Sequence, residues 1–341
     1  MNPRALAFLG IVALCGAGIA GYVMHVRGQA QAAAAAAPQA AGQVDALPAD
    51  AFAVFRSTAL GGSYGRVMTV ALAAPDGARS LTPLACERVH YAAGTGVCLR
   101  ADRGAVTSYK ALLFDAKFTP GKTLPLAGPP SRARVSPDGK RVAFTVFING
   151  HAYSSPGFTT RTSIVDAATG AYVAEDLEAW PVTRDGAAFK ETDFNFWGVT
   201  FARDARRFYA TLGTSHKTYL VEGDLEAKQM HTIAEGVECP SLSPDGTRIA
   251  FKRRDADGAS GRTLWHVAVM ELASRQVRVL KGEQRNVDDQ VEWKDDREIL
   301  YAMPLDAQRS AAEMDVWDIP ADDSSPPRKL LPYAFSPAVA R

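Results

Sequence analysis

The stretch VECPSLSPDGTRIAFKRR, residues 237–254, nearly repeats RARVSPDGKRVAFTVF, residues 132–147. Each copy centres on Ser-Pro-Asp-Gly. Proline fixes φ at the second turn position, aspartate bonds the backbone ahead of it, and glycine accepts a positive φ. Runs rich in Val, Ile, Leu and Phe flank both turns and read as strands. The unit is a β-hairpin.

A repeated hairpin prompts a search for weaker copies, because a period of about 40–50 residues marks propellers and related arrays. With Ser136 and Ser243 as position zero, four more segments align: ERVHYAAGTGVCLR (87–100) on Ala92, VTFARDARRFYAT (199–211) on Ala202, QVEWKDDREILYAM (290–303) on Lys294, and PYAFSPAVAR (332–341) on Ser336. One residue before zero the six copies carry Tyr91, Val135, Phe201, Leu242, Trp293 and Phe335, all large and apolar. Three before zero stand Val89, Ala133, Val199, Pro240, Val291 and Tyr333. Between them lie His90, Arg134, Thr200, Ser241, Glu292 and Ala334, mostly polar. This is the strand period of two, kept in register across all the copies.

The last copy has no second strand before Arg341, whereas AFAVFRST (51–58) resembles the second strand RIAFKRR. A ring closed by pairing the two chain ends follows. Zeros are spaced 44, 66, 41, 51 and 42 residues apart, and the long interval places an insertion at 170–193. TLWHVAVMEL (263–272) is apolar on both faces, as expected of a strand packed between neighbouring sheets. The sequence predicts an all-β six-bladed β-propeller over residues 50–341.

The chain has 38 basic and 37 acidic residues. Such balance, with no basic stripe, argues against nucleic acid as a partner. Residues 5–24, ALAFLGIVALCGAGIAGYVM, are uncharged and long enough to span a bilayer. Residues 1–27 therefore read as a single-pass membrane anchor or a signal segment. His25 and Arg27 precede the small-residue site Ala30-Gln31-Ala32, which favours an uncleaved anchor. Residues 28–49, rich in Ala, Gln and Pro, read as a linker holding the propeller on the extracytoplasmic side, or a secreted propeller if the segment is cleaved.

SPDGKRVAF and SPDGTRIAF resemble the repeats of the TolB-like propellers. DFNFWGVTFARD (193–204), VECPSLSPDGTRIAFK (237–252) and VDDQVEW (287–293) are similar to the actinobacterial TolB-like proteins, in which a signal or anchor segment precedes a propeller. The resemblance covers about residues 50–341 and implies a fold more than a function. The α/β domain that precedes the propeller in TolB itself has no counterpart in residues 28–50, so a role resting on that domain does not carry over.

Cys86 and Cys98 stand six residues before and six after zero in the first hairpin and are expected to form a disulfide, in keeping with an oxidising compartment. Five residues before zero stand Glu87, Ser131, Trp197, Glu238, Asp289 and Leu331. Equivalent positions ring the axis, so Glu87, Glu238 and Asp289 are expected to converge at one channel mouth. Asp193, Asn195, Asp288 and Gln290 lie close by, and Arg88 and Arg132 offset part of the charge. This mouth is the candidate binding site for a basic peptide or a cation.

Other motifs carry less. Gly61-Gly62-Ser63-Tyr64-Gly65 fits G-x-S-x-G, but a strand rather than a helix follows it. Asp255-Ala256-Asp257-Gly258 opens like a calcium loop without the later acidic ligand, and the histidines are scattered. No cofactor is expected. The reading is a non-catalytic module that binds an envelope protein or peptide. The alternative is a metal-dependent hydrolase or lyase with its site in the channel.

Overall fold

A computed structural model describes residues 3–36, 40–43, 47–48, 50–150, 153, 157–256, 263–306 and 310–341. Strands form six sheets, antiparallel apart from one outer pairing in each of two, arranged as the blades of a propeller. The innermost strands are Arg88–Ala92, Pro130–Val135, Asn195–Phe201, Glu238–Leu242, Glu292–Trp293 and Ala334–Ala340, in blades 1 to 6.

In blades 1 to 5 each inner strand turns tightly into the second strand of its blade. At Ser136 and Ser243 the carbonyl accepts the N–H of the turn glycine at 2.9 Å, and Gly139 and Gly246 take φ of +72° and +74°. The copies in blades 3 and 5 keep the aspartate where they lose the glycine. Asp204 Oδ1 accepts from the backbone N–H groups of Arg206 and Arg207, and Asp295 Oδ1 from those of Arg297 and Glu298. These tight turns define a turn face. The opposite side, where inner strands begin and second strands end, is the loop face.

Blades stack through apolar layers, one in each gap between neighbours. Along Phe52–Ser57, Phe52 and Val54 pack towards blade 1, while Ala53 and Phe55 pack towards blade 5. The strand period of two thus feeds two cores at once, which is why so many strands are apolar on both sides. In Thr263–Glu271 of blade 4, Val267 and Val269 face blade 5, while Ala268 and Met270 face blade 3.

The ring closes as the repeats predict, with Phe52 opposite Ala340 and Ser57 opposite Ala334. Arg56 lies opposite Phe335. The register of the last repeat differs from the sequence alignment, however. Ser336 and Pro337 lie inside the inner strand, not at a turn, and the strand runs on to Ala340. Ser336 hydrogen-bonds the backbone of Val89 in blade 1 through its hydroxyl. A Ser-Pro pair without the following Asp-Gly lacks the groups that make the turn, so the strand continues.

The insertion at 170–193 forms a short 3₁₀ turn and a hairpin, Val182–Arg184 with Ala187–Phe189. Its first strand runs parallel to Gln229–Glu235 and widens blade 3 to six strands.

The N-terminal helix spans Pro3–Ala36, so it runs beyond the expected 1–27 into the Ala-rich tract. Alanine has the highest helix propensity, and a run of it continues an existing helix without a nucleation cost. Phe8–Gly28 is long and apolar enough to cross a membrane. Ala40–Gln43 then pairs in parallel with Arg79–Leu81 at the outer edge of blade 6. The linker therefore contains ordered backbone, and the chain joins the propeller on the turn face.

Candidate functional site

The structure redistributes the predicted mouth residues into three places. Glu87 is not in the channel. It sits at the border of blades 6 and 1, 2.8 Å from Arg103 and 3.8 Å from Arg56. Glu238 is fully buried, accepts from Trp265 Nε1 at 3.1 Å and pairs with Arg254 at 2.9 Å. Asp289 does reach the axis, where it accepts from Arg88 at 2.7 Å and lies 3.8 Å from Arg132. The three carboxylates thus do not converge. An isolated buried carboxylate is costly, so each takes the nearest cation.

What fills the loop-side end of the channel is a mixed plug. Asp288 holds Lys252 at 2.5 Å and lies 3.9 Å from Arg132. Burial pushes the Asp288 carboxyl up, but Lys252 and Arg132 outweigh it and hold the group below its usual range. Arg132 stacks over the Tyr153 ring at 4.8 Å, and Lys252 lies 4.6 Å from the Trp265 ring. Gln290 donates to the carbonyls of Val199 and Pro240 and so ties blades 3 and 4. Arg88, Arg132 and Lys252 face Asp288 and Asp289, so the plug is cationic by one charge, the reverse of the acidic ring expected.

Asp193, Asn195 and Trp197 belong to a separate groove of about 710 Å³ on the loop face, between blades 2 and 3 and reaching blade 4. Asn195 accepts from Thr160 N–H and hydroxyl and donates to Phe158 O, while Asp193 ties down the blade 3 loop through Thr214 and Ser215. Trp197 packs on Tyr153 and Phe158, with Cys239 and Trp265 in the same cluster. At the groove's edge Glu178 is pushed up to about 7 by burial and by Asp176.

The opposite mouth was not singled out from the sequence. His90, Arg134, Ser241 and Glu292, the polar members two residues before zero, line a cavity of about 420 Å³ on the turn face. Arg134 bonds Glu292, Ser241 Oγ and the Val291 carbonyl. His90 accepts the Val135 N–H on Nδ1, which leaves Nε2–H towards Glu292 at 3.5 Å. Burial and the neighbouring Arg134 keep His90 neutral by lowering its pKa. Burial would raise the Glu292 carboxyl, yet Arg134, His90 and Arg341 hold it at about 2. The signal was present as the polar half of the strand alternation, which also happens to point at the axis. Between the two mouths only about 20 Å³ remains, bounded by Arg132, Arg134, Asp289 and Glu292 among others. The channel is closed by side chains.

The Cys86–Cys98 disulfide is present, with Cα atoms 5.3 Å apart. The two cysteines do not face one another across the hairpin, because Cys98 stands opposite Val89. Cys86 lies in the connection leaving blade 6, so the bond staples blade 6 to the second strand of blade 1. Ser63 lies in a turn between Phe52–Ser57 and Arg66–Ala71, not on a strand-to-helix elbow. Asp257 and Gly258 of the calcium-like stretch lie outside the described residues. Among the described residues no three His, Cys, Asp or Glu side chains gather as a metal ion would require.

No family model matches the sequence, and neither does any curated protein. Solved structures do. TolB from Acinetobacter baumannii aligns with a TM-score of 0.57 at 15% identity, over 85% of this chain and 67% of that one. A chain of the nidogen/laminin complex aligns with a TM-score of 0.55 at 8% identity, over 86% and 99%. Oligogalacturonate lyase in complex with manganese aligns at 0.46, with 13% identity over 79% and 73%. The chain is a six-bladed propeller of TolB-like fold, and these identities establish the fold alone.

Proposed function

We propose that this protein is a membrane-tethered, non-catalytic binding module of the cell envelope that holds a protein or peptide on its loop face. One observation carries the reading: the chain enters the propeller on the turn face, and the loop face opposite it presents an aromatic groove together with exposed apolar tips on four blades. Tyr64, Val106, Ile148 and Leu305 lie in or beside loops joining second and third strands, and all are exposed. Isolated exposed apolar residues are ordinary, but several on one face, with Ile148 at the aromatic groove itself, mark an interaction surface. The apolar N-terminal helix and the disulfide support an extracytoplasmic, anchored setting.

A photo-crosslinking residue placed at Ile148 or Val106 of the full chain in cells should give discrete adducts, and one at Val277 on the outer edge of blade 4 should give none. Thr192→Trp, which fills the groove, should abolish the Ile148 adduct. Equal adducts from Val277, or none from the loop face, would sink the reading.

A further inference from the structure

The turn-side mouth has a chemistry of its own. Three arginines line its 420 Å³ cavity, Arg134 on the floor and Arg203 and Arg341 at the rim, against two carboxylates, Glu292 and Asp138. The carboxylates are committed. Glu292 is bonded to Arg134, and Asp138 accepts from the Ser136 hydroxyl and the Lys140 N–H within its own turn. The rim arginines are not. Among the described residues Arg341 donates to the carbonyls of Trp293 and Lys294, at 2.6 and 3.0 Å, which fixes its guanidinium at the opening, and its charge also acts on Glu292. Arg203 is exposed and makes no ion pair among the described residues. Arg134 is itself more than nine-tenths buried, and its Nε has no hydrogen-bond partner. The hydroxyl-bearing residues Ser241, Ser243 and Thr200 lie on the same wall.

We infer that this mouth is a binding site for an oxyanion, a phosphate or a carboxylate group, gripped by the guanidinium groups of Arg203 and Arg341 above the Arg134–Glu292 pair. Guanidinium groups pair with planar or tetrahedral oxyanions through two parallel N–H donors, which a compact cation cannot match. The rim guanidinium groups open onto a concave site, where attraction is less screened than on open surface. The site is distinct from the loop-face groove and stands or falls separately from it. The same site reads inorganic phosphate, a lipid headgroup phosphate or a peptide carboxylate by one chemistry.

The test uses the full chain in detergent micelles, at fixed ionic strength. Inorganic phosphate is titrated by ³¹P line broadening, and N-acetylglutamate in parallel by ¹³C. Saturable binding of either probe is expected, weakened at least tenfold in Arg203→Ser/Arg341→Ser and unchanged in Arg278→Ser, a surface arginine on blade 4. Saturation by phosphate alone identifies a phosphate source and by N-acetylglutamate alone a peptide-like one, and both support the site. Melting of the unliganded double variant within about 2 °C of the parent shows that the fold is intact, since both residues are at the rim. Binding of neither probe, or equal affinity in the parent and the double variant, would overturn the inference.

Discussion

The turn-side mouth and the loop-face groove each hold a perturbed carboxyl group, Glu292 and Glu178, and the two move in opposite directions, whereas Asp288 in the channel plug is held low as Glu292 is. On the turn face Glu292 is held down to about 2, chiefly by Arg134 acting against burial. On the loop face Glu178 is pushed up to about 7, because burial acts with Asp176 rather than against an arginine in contact. Burial is common to both. The difference is whether a cation faces the acid: Glu292 on its inner strand meets Arg134 at the axis, while Glu178 in the inserted 3₁₀ turn meets Asp176 instead. The turn-side mouth is thus a paired electrostatic unit with arginines at its rim, and the loop-face groove an aromatic site with charges at its edges.

This contrast can be broken most forcefully at Glu292. Replacing it with alanine leaves Arg134 buried beside His90 without its anion, which should cost about 3–5 kcal/mol in denaturant unfolding. The double variant Glu292→Leu/Arg134→Met should recover most of the loss. If the single variant melts like the parent, the turn-side network is not structural. Next in size is the staple between blades 6 and 1. Cys86→Ser/Cys98→Ser should lower stability by about 3 kcal/mol under oxidising conditions, and a reductant should bring the parent to the same value.

Acid should act on the turn end in two stages. His90 is kept neutral in the fold, so the unfolded chain binds the extra proton first, and stability should decline as pH falls below about 6.5. Glu292, depressed in the fold, contributes stability above an unfolded value of about 4.3 that is lost as pH falls towards its folded value of about 2. Unfolding curves across pH should flatten in the upper stage for His90→Gln and in the lower stage for Glu292→Gln.

The smallest effect is expected at the loop end. Glu178 has a raised pKa, so its ionisation weakens the fold as pH rises through about 7. Glu178→Gln should leave stability unchanged at pH 4 and raise it at pH 8 by less than about 1 kcal/mol, since the residue is only partly buried and solvent screens it. A loss at pH 8 would mean that the carboxylate has a cationic partner there.

Much of the fold was readable because each blade announces itself locally. Pro137-Asp138-Gly139 and Pro244-Asp245-Gly246 make turns by their own backbone preferences, and alternation on either side assigns the strands. The sixth repeat was misregistered because Ser336-Pro337 copies only half of that signal. The disulfide was readable as a pair, while its role as a bridge between blades was not. The candidate site was legible only in part: Asp288, Asp289 and Arg132 meet on the axis, whereas Glu87 and Glu238 turn to Arg103 and Arg254.

The sequence alone determined the number of blades, the closure of the ring and the apolar layers between sheets, because turn chemistry and a period of two act within a few residues. Only the tertiary structure decided which charges meet. Asp289 finds Arg88, and Glu292 finds Arg134, across gaps of 201 and 158 residues. A buried ion pair depends on which side chains the closed ring brings within a few ångströms, and no local pattern encodes that distance.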